Sequence, residues 1–317
     1  MSAGWLGRWR APRPTEAAPA AADDPLQPSA ALLAALGSLR LCPPTFARGQ
    51  SSGDRRGRGA GSGLEFAEHR PYQPGDDLRH LDAHAFLRLQ QELVRTFHAD
   101  RDQTVLIAAD LSASTAIGRP RKADVIASIA LGLAGVALNS RDSLRLRLLC
   151  AGDPGPLAGR DRAAMPALRA AVESARPGGV AQVGLGLRGA AARCDRAVLI
   201  SDALMEDEAL IESLEGLRAA GARALLIQVV APEDIDPASE GLLEDGDWDV
   251  IDVESNQQLR LSSDRRLRSA WAEAAQAWMD RVGRASLSLG VQRLVWSTRQ
   301  ALPPLFYGEL RRIGWLQ

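Results

Sequence analysis

The sequence predicts an α/β fold in which helices cover a mainly parallel sheet. Three observations carry that prediction. Val105–Ala109, Ala197–Ser201 and Ala224–Val230 are apolar runs of strand length, the pattern of strands buried on both faces. Helical periodicity alternates with them, in Lys122–Asn139 and Glu206–Ala220, as in βαβ units. Two of the runs lead straight into aspartates, Asp110 and Asp202. In open parallel sheets ligands bind beyond the carboxyl ends of the strands.

Composition narrows the function classes. The chain has 317 residues, 46% hydrophobic but only 4% aromatic, so its core is built mostly from Leu, Ala, Val and Ile. A net charge of −1 disfavours a nucleic-acid binder that relies on bulk charge. Lys122 is the single lysine; all other basic side chains except the histidines are arginines. The cysteines, Cys42, Cys150 and Cys194, are odd in number and widely spaced, which argues against a disulfide framework and for a reducing compartment. Arg8, Arg10 and Arg13 are followed by no apolar leader core, and Ala30–Leu41 is too short to span a bilayer. No segment reads as transmembrane, and a soluble, cytoplasmic protein is expected.

In order, residues 1–28 are rich in Ala, Pro and Asp and are expected to be largely disordered. Residues 29–63 hold a short helix, Ala30–Arg40, stopped by Pro43-Pro44, and a basic glycine-rich loop over 48–63 that reads as a flexible linker or a binding arm. Residues 64–103 are dense in charged and aromatic groups. They include a turn at Gly75-Asp76-Asp77 and a strand at Glu92–Ala99, which Asp100-Arg101-Asp102 should fold back on the next strand as an antiparallel edge hairpin. Residues 104–283 carry the alternating pattern. Leu144–Cys150 is a strand; Asp161–Ser174 is a helix with Asp161 as N-cap; Ala190–Arg193 belongs to another helix. Gly221 could cap Glu206–Ala220. Asp249–Val253 is a weaker fourth strand of the alternating set, and Ser263–Val282 is a long helix with Trp271 and Trp278 on one face. Residues 284–317 form a C-terminal extension, with a strand at Val291–Trp296 and a helix from Pro304.

The chemistry concentrates at Asp110-Leu111-Ser112-Ala113-Ser114. A carboxylate and two hydroxyls at spacing two, on a turn leaving a buried strand, can point into one crevice. Such hard oxygen donors suit Mg²⁺ or Mn²⁺. Asp202 reaches the same crevice if its strand is a neighbour. The plainer alternative is that Asp110 and Ser112 cap a helix. All four histidines, His69, His80, His84 and His98, fall in one short segment; surface or hydrogen-bonding roles there outweigh a transition-metal site. Gly184–Gly189 fits GxGxxG, but the preceding Val180–Val183 is too short and weak a strand for a dinucleotide site. Close helix packing explains those glycines better. A Walker A loop is absent, as are GxSxG, HExxH and Cys–His nucleophile signatures.

At these residues the chain resembles a known family. DLSAS is similar to the metal-ion-dependent adhesion site of von Willebrand factor A-type domains. Upstream, Gly61, Gly63, Glu65 and Phe66, then Arg70, Tyr72, Pro74, Gly75, Asp76, Asp77, Arg79, Leu81 and Asp82, and later Ile200-Ser201-Asp202, resemble the signature of domain-of-unknown-function family fifty-eight, over about residues 57 to 255. The resemblance implies a doubly wound, von Willebrand factor A-like domain with helices on both faces, in a bacterial cytosolic protein. It also implies a MoxR-type AAA+ ATPase as protein partner in chaperone-like assembly or maturation. In an intact adhesion site, Asp110, Ser112 and Ser114 would hold the cation, with Asp202 near it through water. A partner's acidic side chain would then complete the shell. Arg70, Tyr72, Gly75, Asp76, Arg79 and Asp82 would brace the signature segment or meet a partner. Two positions depart from the pattern. Val180 follows Pro177-Gly178-Gly179 where a threonine ligand is usual, which weakens the cation site, and Ala83 replaces a tryptophan. The expected function is non-enzymatic protein binding. The alternative is a metal-dependent hydrolase using Asp110, Asp202 and a histidine from 69–98 as base.

Overall fold

The structure, a computed structural model, describes residues 9–10, 26–28, 32, 35–42, 66–74, 76–97, 103–150, 152, 154–180, 183–187, 194–219, 223–236, 245–253 and 257–317. The basic loop at 48–63, Gly61, Gly63, Glu65, Gly75, His98, the turn at 100–102, the helical segment at 190–193 and Gly221 lie outside the described residues. The chain divides into two compact units, residues 1–44 with 103–317, and residues 45–102.

In chain order the strands are β1 (Trp9–Arg10), β2 (Phe66–Pro71), β3 (Leu93–Phe97), β4 (Thr104–Asp110), β5 (Ser143–Leu149), β6 (Leu157–Gly159), β7 (Arg196–Ser201), β8 (Arg223–Val230), β9 (Gly246–Asp252), β10 (Gln258–Ser263) and β11 (Gln292–Ser297). The principal helices are α1 (Ala83–Leu89), α2 (Lys122–Asn139), α3 (Met165–Ser174), α4 (Val183–Leu187), α5 (Asp207–Ala219), α6 (Pro232–Ile235) and α7 (Arg265–Ser288).

In the larger unit a six-stranded sheet runs β11-β8-β7-β4-β5-β6. Every neighbouring pair is parallel except β5–β6. Alternate side chains explain the unbroken apolar runs. Val105, Ile107 and Ala109 enter one core with α2 and α3. Leu106 and Ala108 enter the other, with α4, α5 and α7. Each strand therefore feeds two hydrophobic layers, one on either face. The result is a mixed α/β architecture with a mainly parallel central sheet, and β11 from the C-terminal tail forms one of its edges.

Helix α2 is apolar nearly all round because both of its sides are covered. It packs on the sheet, while Leu36 and Phe306 close over its back at Gly132. It is long and apolar enough to cross a bilayer, yet 83% of it is buried inside the protein. A Cβ at Gly132 would lie 2.5 Å from the Phe306 ring and 3.0 Å from Leu36. Gly132→Ala is therefore expected to destabilise the fold by about 1–3 kcal/mol through overpacking, despite alanine's better helix propensity. Urea denaturation would measure it; an unchanged or raised midpoint would contradict the close approach.

The amino rim of the sheet is closed by charged groups at the strand starts. Arg196, buried at the head of β7, donates from Nε to Gln103 Oε1 at 3.0 Å and from Nη2 to the Cys42 carbonyl at 2.7 Å. Its guanidinium lies 5.0 Å from the centre of the Trp315 ring. Arg223, at the head of β8, stacks on the same ring and donates to the carbonyls of Ile313 and Gly314. Backbone bonds between Arg40 and Gln317 tie the early and final segments together.

Two expectations are corrected. The strand after Glu92 does not form a hairpin with β4: β3 pairs antiparallel with β2, while both edges of β4 are taken by β5 and β7. The Asp249–Val253 strand is not part of the parallel set, since β9 pairs antiparallel with β10 and β1 in a separate three-stranded sheet. Its half-exposed alternation suits a sheet with one wet face. Within residues 1–28, Trp9–Arg10 form β1, and Leu26 is buried in the core with the Gln27 N–H bonded to Asp124.

In the smaller unit, the Arg70 guanidinium grips Asp76 through two bonds of 2.6 and 2.7 Å. That contact, with the Gln73 N–H, holds the Asp76 carboxyl below its ordinary range. Asp82 caps α1 by accepting from the N–H groups of His84 and Ala85, and it accepts from His69 at 2.7 Å. The signature thus forms two separate ties, Arg70–Asp76 and His69–Asp82. Arg79 enters through its backbone N–H, donated to Asp77, and the Tyr72 N–H bonds to Glu92.

Candidate functional site

The rim that matters is the carboxyl end of β4 and β7. These strands are parallel neighbours in register, Ala109 beside Ile200. Asp110 and Ser201 consequently emerge side by side, and the Ser201 hydroxyl donates to Asp110 Oδ2 at 2.6 Å. The other oxygen, Oδ1, accepts the Ser112 N–H at 3.0 Å. That turn orients Ser112 Oγ 3.1 Å from Ser114 Oγ. The loop is held on both sides, by Leu111 N–H to the Leu149 carbonyl and by Ala113 N–H to the Gly179 carbonyl. Gly178 returns a bond to the Leu111 carbonyl, so the Pro177–Val180 loop is fastened against the DLSAS turn, with Val180 60% exposed beside it. Ser112 makes no side-chain cap bond to the following turn, so its hydroxyl is not committed to capping.

Asp202 follows β7 at the same rim. Its Oδ1 accepts the Leu204 N–H at 3.1 Å, and the intervening Ala203 adopts a left-handed φ of +58°. Asp110 feels Asp202 directly: burial first, and then the Asp202 charge, push its carboxyl up to about 6, against the opposing bonds from Ser201 and Ser112.

A residue that the sequence did not mark as functional completes the arrangement. Lys122, at the start of α2, is fully buried, with Nζ 2.9 Å from Asp202 Oδ2 and 3.1 Å from Asp234 Oδ1. Burial alone would lower its pKa; the charges of Asp202 and Asp234 outweigh that and raise it, so the ammonium stays charged. Asp234, in the first turn of α6, has its other oxygen on the Ala231 N–H. Helix α7 fastens both acidic loops through its indoles: Trp271 Nε1 donates to the Asp234 carbonyl, and Trp278 Nε1 to the Ala203 carbonyl, each at 3.0 Å. The sequence signal for Lys122 was its uniqueness: in a chain of 38 Lys and Arg it alone is lysine. The ammonium is a compact point charge with three donors, unlike the planar fork of a guanidinium.

The donor set can be tested against a magnesium-type ion. Neighbouring ligands in a Mg²⁺ octahedron lie about 3.0 Å apart, from metal–oxygen bonds of about 2.1 Å. The two serine oxygens match that spacing. Asp110 accepts from the Ser201 hydroxyl and from the N–H and hydroxyl of Ser112, and a carboxylate has about four lone-pair sites. Asp110, Ser112 and Ser114 therefore fit a metal. Asp202 already faces a cation, the Lys122 ammonium 2.9 Å from its Oδ2, whose charge opposes a second cation on that oxygen. The Val180 side chain offers no oxygen. Among the described residues no three His, Cys, Asp or Glu side chains form a metal cage.

Of the Gly184–Gly189 stretch, Gly184 serves packing. A Cβ on Gly184 would meet Glu212 of α5 at 2.5 Å.

The model of the family described as "Protein of unknown function DUF58" matches residues 68–280. Uncharacterized proteins of Mycobacterium bovis and of two Mycobacterium tuberculosis strains are 33% identical over 278 residues, covering 83% of this chain and 84% of theirs. Among solved structures, BatB from Bacteroides thetaiotaomicron aligns with a TM-score of 0.33 at 13% identity, over 59% of this chain and 98% of that one. An aerotolerance-related membrane protein from Bacteroides fragilis aligns with a TM-score of 0.32 at 12% identity, over the same shares.

Proposed function

Because the chain belongs to the family of proteins of unknown function DUF58, we propose that it is a non-enzymatic protein-binding module with a von Willebrand factor A-like domain. On this reading it is cytoplasmic and a partner of a MoxR-type AAA+ ATPase in assembly or maturation of other proteins. The sequence resemblance supplies that partner class. The observation that carries the binding mode is the Asp110–Ser112–Ser114 cluster at the end of an interior parallel strand, with its hydroxyls 3.1 Å apart.

Mg²⁺ or Mn²⁺ would be held by Asp110, Ser112 and Ser114, supplying a Lewis-acid centre with open positions for a partner carboxylate. The chain's own part is to aim those oxygens. Ser201 and the Ser112 N–H fix the Asp110 carboxylate, and the 178–179 loop pins the turn that carries the serines. Among the described residues, Asp110 is met by the Ser201 and Ser112 hydroxyls and the Ser112 N–H, none of which is a general base. This favours recognition over hydrolysis. The valine at 180 and the engagement of Asp202 by Lys122 both reduce the ligand set, so the cation site is a weak one.

The test is binding to a purified MoxR-type ATPase in Mg²⁺ and in EDTA, with the fold checked by circular dichroism. Asp110→Ala should weaken binding at least about tenfold, the effect of about 1.4 kcal/mol. Val180→Thr should bind Mg²⁺ more tightly than wild type by calorimetry. Unchanged ATPase binding by a folded Asp110→Ala variant would refute this use of the crevice.

A further inference from the structure

We propose that the Lys122 ammonium is the resident cation of this crevice: a tethered single charge that takes the place of a divalent ion between Asp202 and Asp234 and offsets half of their charge, leaving only Asp110, Ser112 and Ser114 to take metal from solution. The proposal rests on reading this rim as a cation-type binding site.

The geometry points to it in three ways. Lys122, Asp202 and Asp234 are each at most 1% exposed, so bulk water does not solvate either carboxylate's charge. Each carboxylate has one oxygen held by a backbone N–H, Leu204 for Asp202 and Ala231 for Asp234, and turns the other to Nζ. The ammonium thus sits between two pre-aimed oxygens from loops that follow neighbouring strands β7 and β8, as a bridging metal would. Finally, the charges are complementary. Lys122 with its two carboxylates carries a net −1, whereas without the lysine the pair would carry −2 in a site closed to solvent. A divalent ion would neutralise that pair; the lysine occupies its place and halves the charge.

Removing one partner of a buried ion pair leaves an uncompensated buried charge. Lys122→Met should therefore lower the melting temperature in EDTA by about 10 °C. Millimolar Mn²⁺ or Mg²⁺ should restore at least half of that loss, while shifting the wild type much less. The double variant Lys122→Met/Asp234→Asn returns the cluster to a net −1 and should regain most of the stability in EDTA without any metal. Should Lys122→Met fail to accumulate as folded protein without metal, that is the expected loss in its extreme form, and the double variant then carries the test. A single variant no more responsive to Mn²⁺ than wild type, or a double variant no more stable than the single one, overturns the proposal. Neither measurement involves a protein partner. A failure here leaves the partner-binding reading to stand or fall with Asp110→Ala.

Discussion

Asp110→Asn should make the metal-free protein more stable at neutral pH, by about 1–3 kcal/mol, while abolishing its response to Mg²⁺. The Asp110 carboxyl is raised to about 6 in the folded protein, by burial and then by Asp202, against about 3.9 in an unfolded chain. Between those values the native state binds the extra proton. Stability from this group is complete below about pH 4, declines as pH rises towards 6, and stays low above. The asparagine removes that penalty, and its amide can be accommodated. Oδ1 still accepts the Ser112 N–H, and the Ser201 hydroxyl, which already accepts from the Ala203 N–H, has a second lone pair for the new N–H donor. Melting curves at pH 4.5 and pH 7.5 in EDTA test this: the variant's advantage should appear only at the higher pH. An asparagine variant less stable than wild type at pH 7.5 would mean that Asp110 is not a strained carboxylate. A site that pays stability for a charged side chain has the economics of binding rather than of folding.

Arg196→Ala should cost about 3–5 kcal/mol, lowering the melting temperature by about 10 °C. Three losses combine. The Gln103 side chain and the Cys42 carbonyl lose charged donors, each such bond being worth about 1.5–3 kcal/mol. The Trp315 ring loses one of its two stacked guanidiniums. A fully buried arginine stem also leaves a cavity. Because Cys42 and Trp315 belong to segments at opposite ends of the chain, the variant should show faster hydrogen exchange at residues 39–42 and 314–317 before the central strands loosen. Uniform exchange across the sheet would argue against a local clasp.

The central strands were legible because two-sided burial writes itself into sequence: each of β4, β7 and β8 must be apolar at consecutive positions to feed both layers. Helix α2 was legible to the residue, Lys122–Asn139. Pairing was less so. A turn signal at 100–102 says the chain reverses, but not which strand it returns to, and β4 had no edge left to offer. The strand at β9 was visible, but its sheet was not, because local pattern does not specify a partner. At the crevice, strand-end aspartates were visible from their position after apolar runs. Lys122 was not, since Asp234 lies 112 residues away and no short motif joins them. Only its solitude among arginines hinted at a special demand.

The two indoles of α7 have a practical corollary. Trp278 is fully buried on the Ala203 carbonyl and Trp271 nearly so on the Asp234 carbonyl. Each is thus a native fluorophore hydrogen-bonded to one of the two loops that flank the ammonium. Any event that moves either loop changes the polarity around its indole. Emission shifts in single-tryptophan variants would then say which loop moved first, with no dye attached.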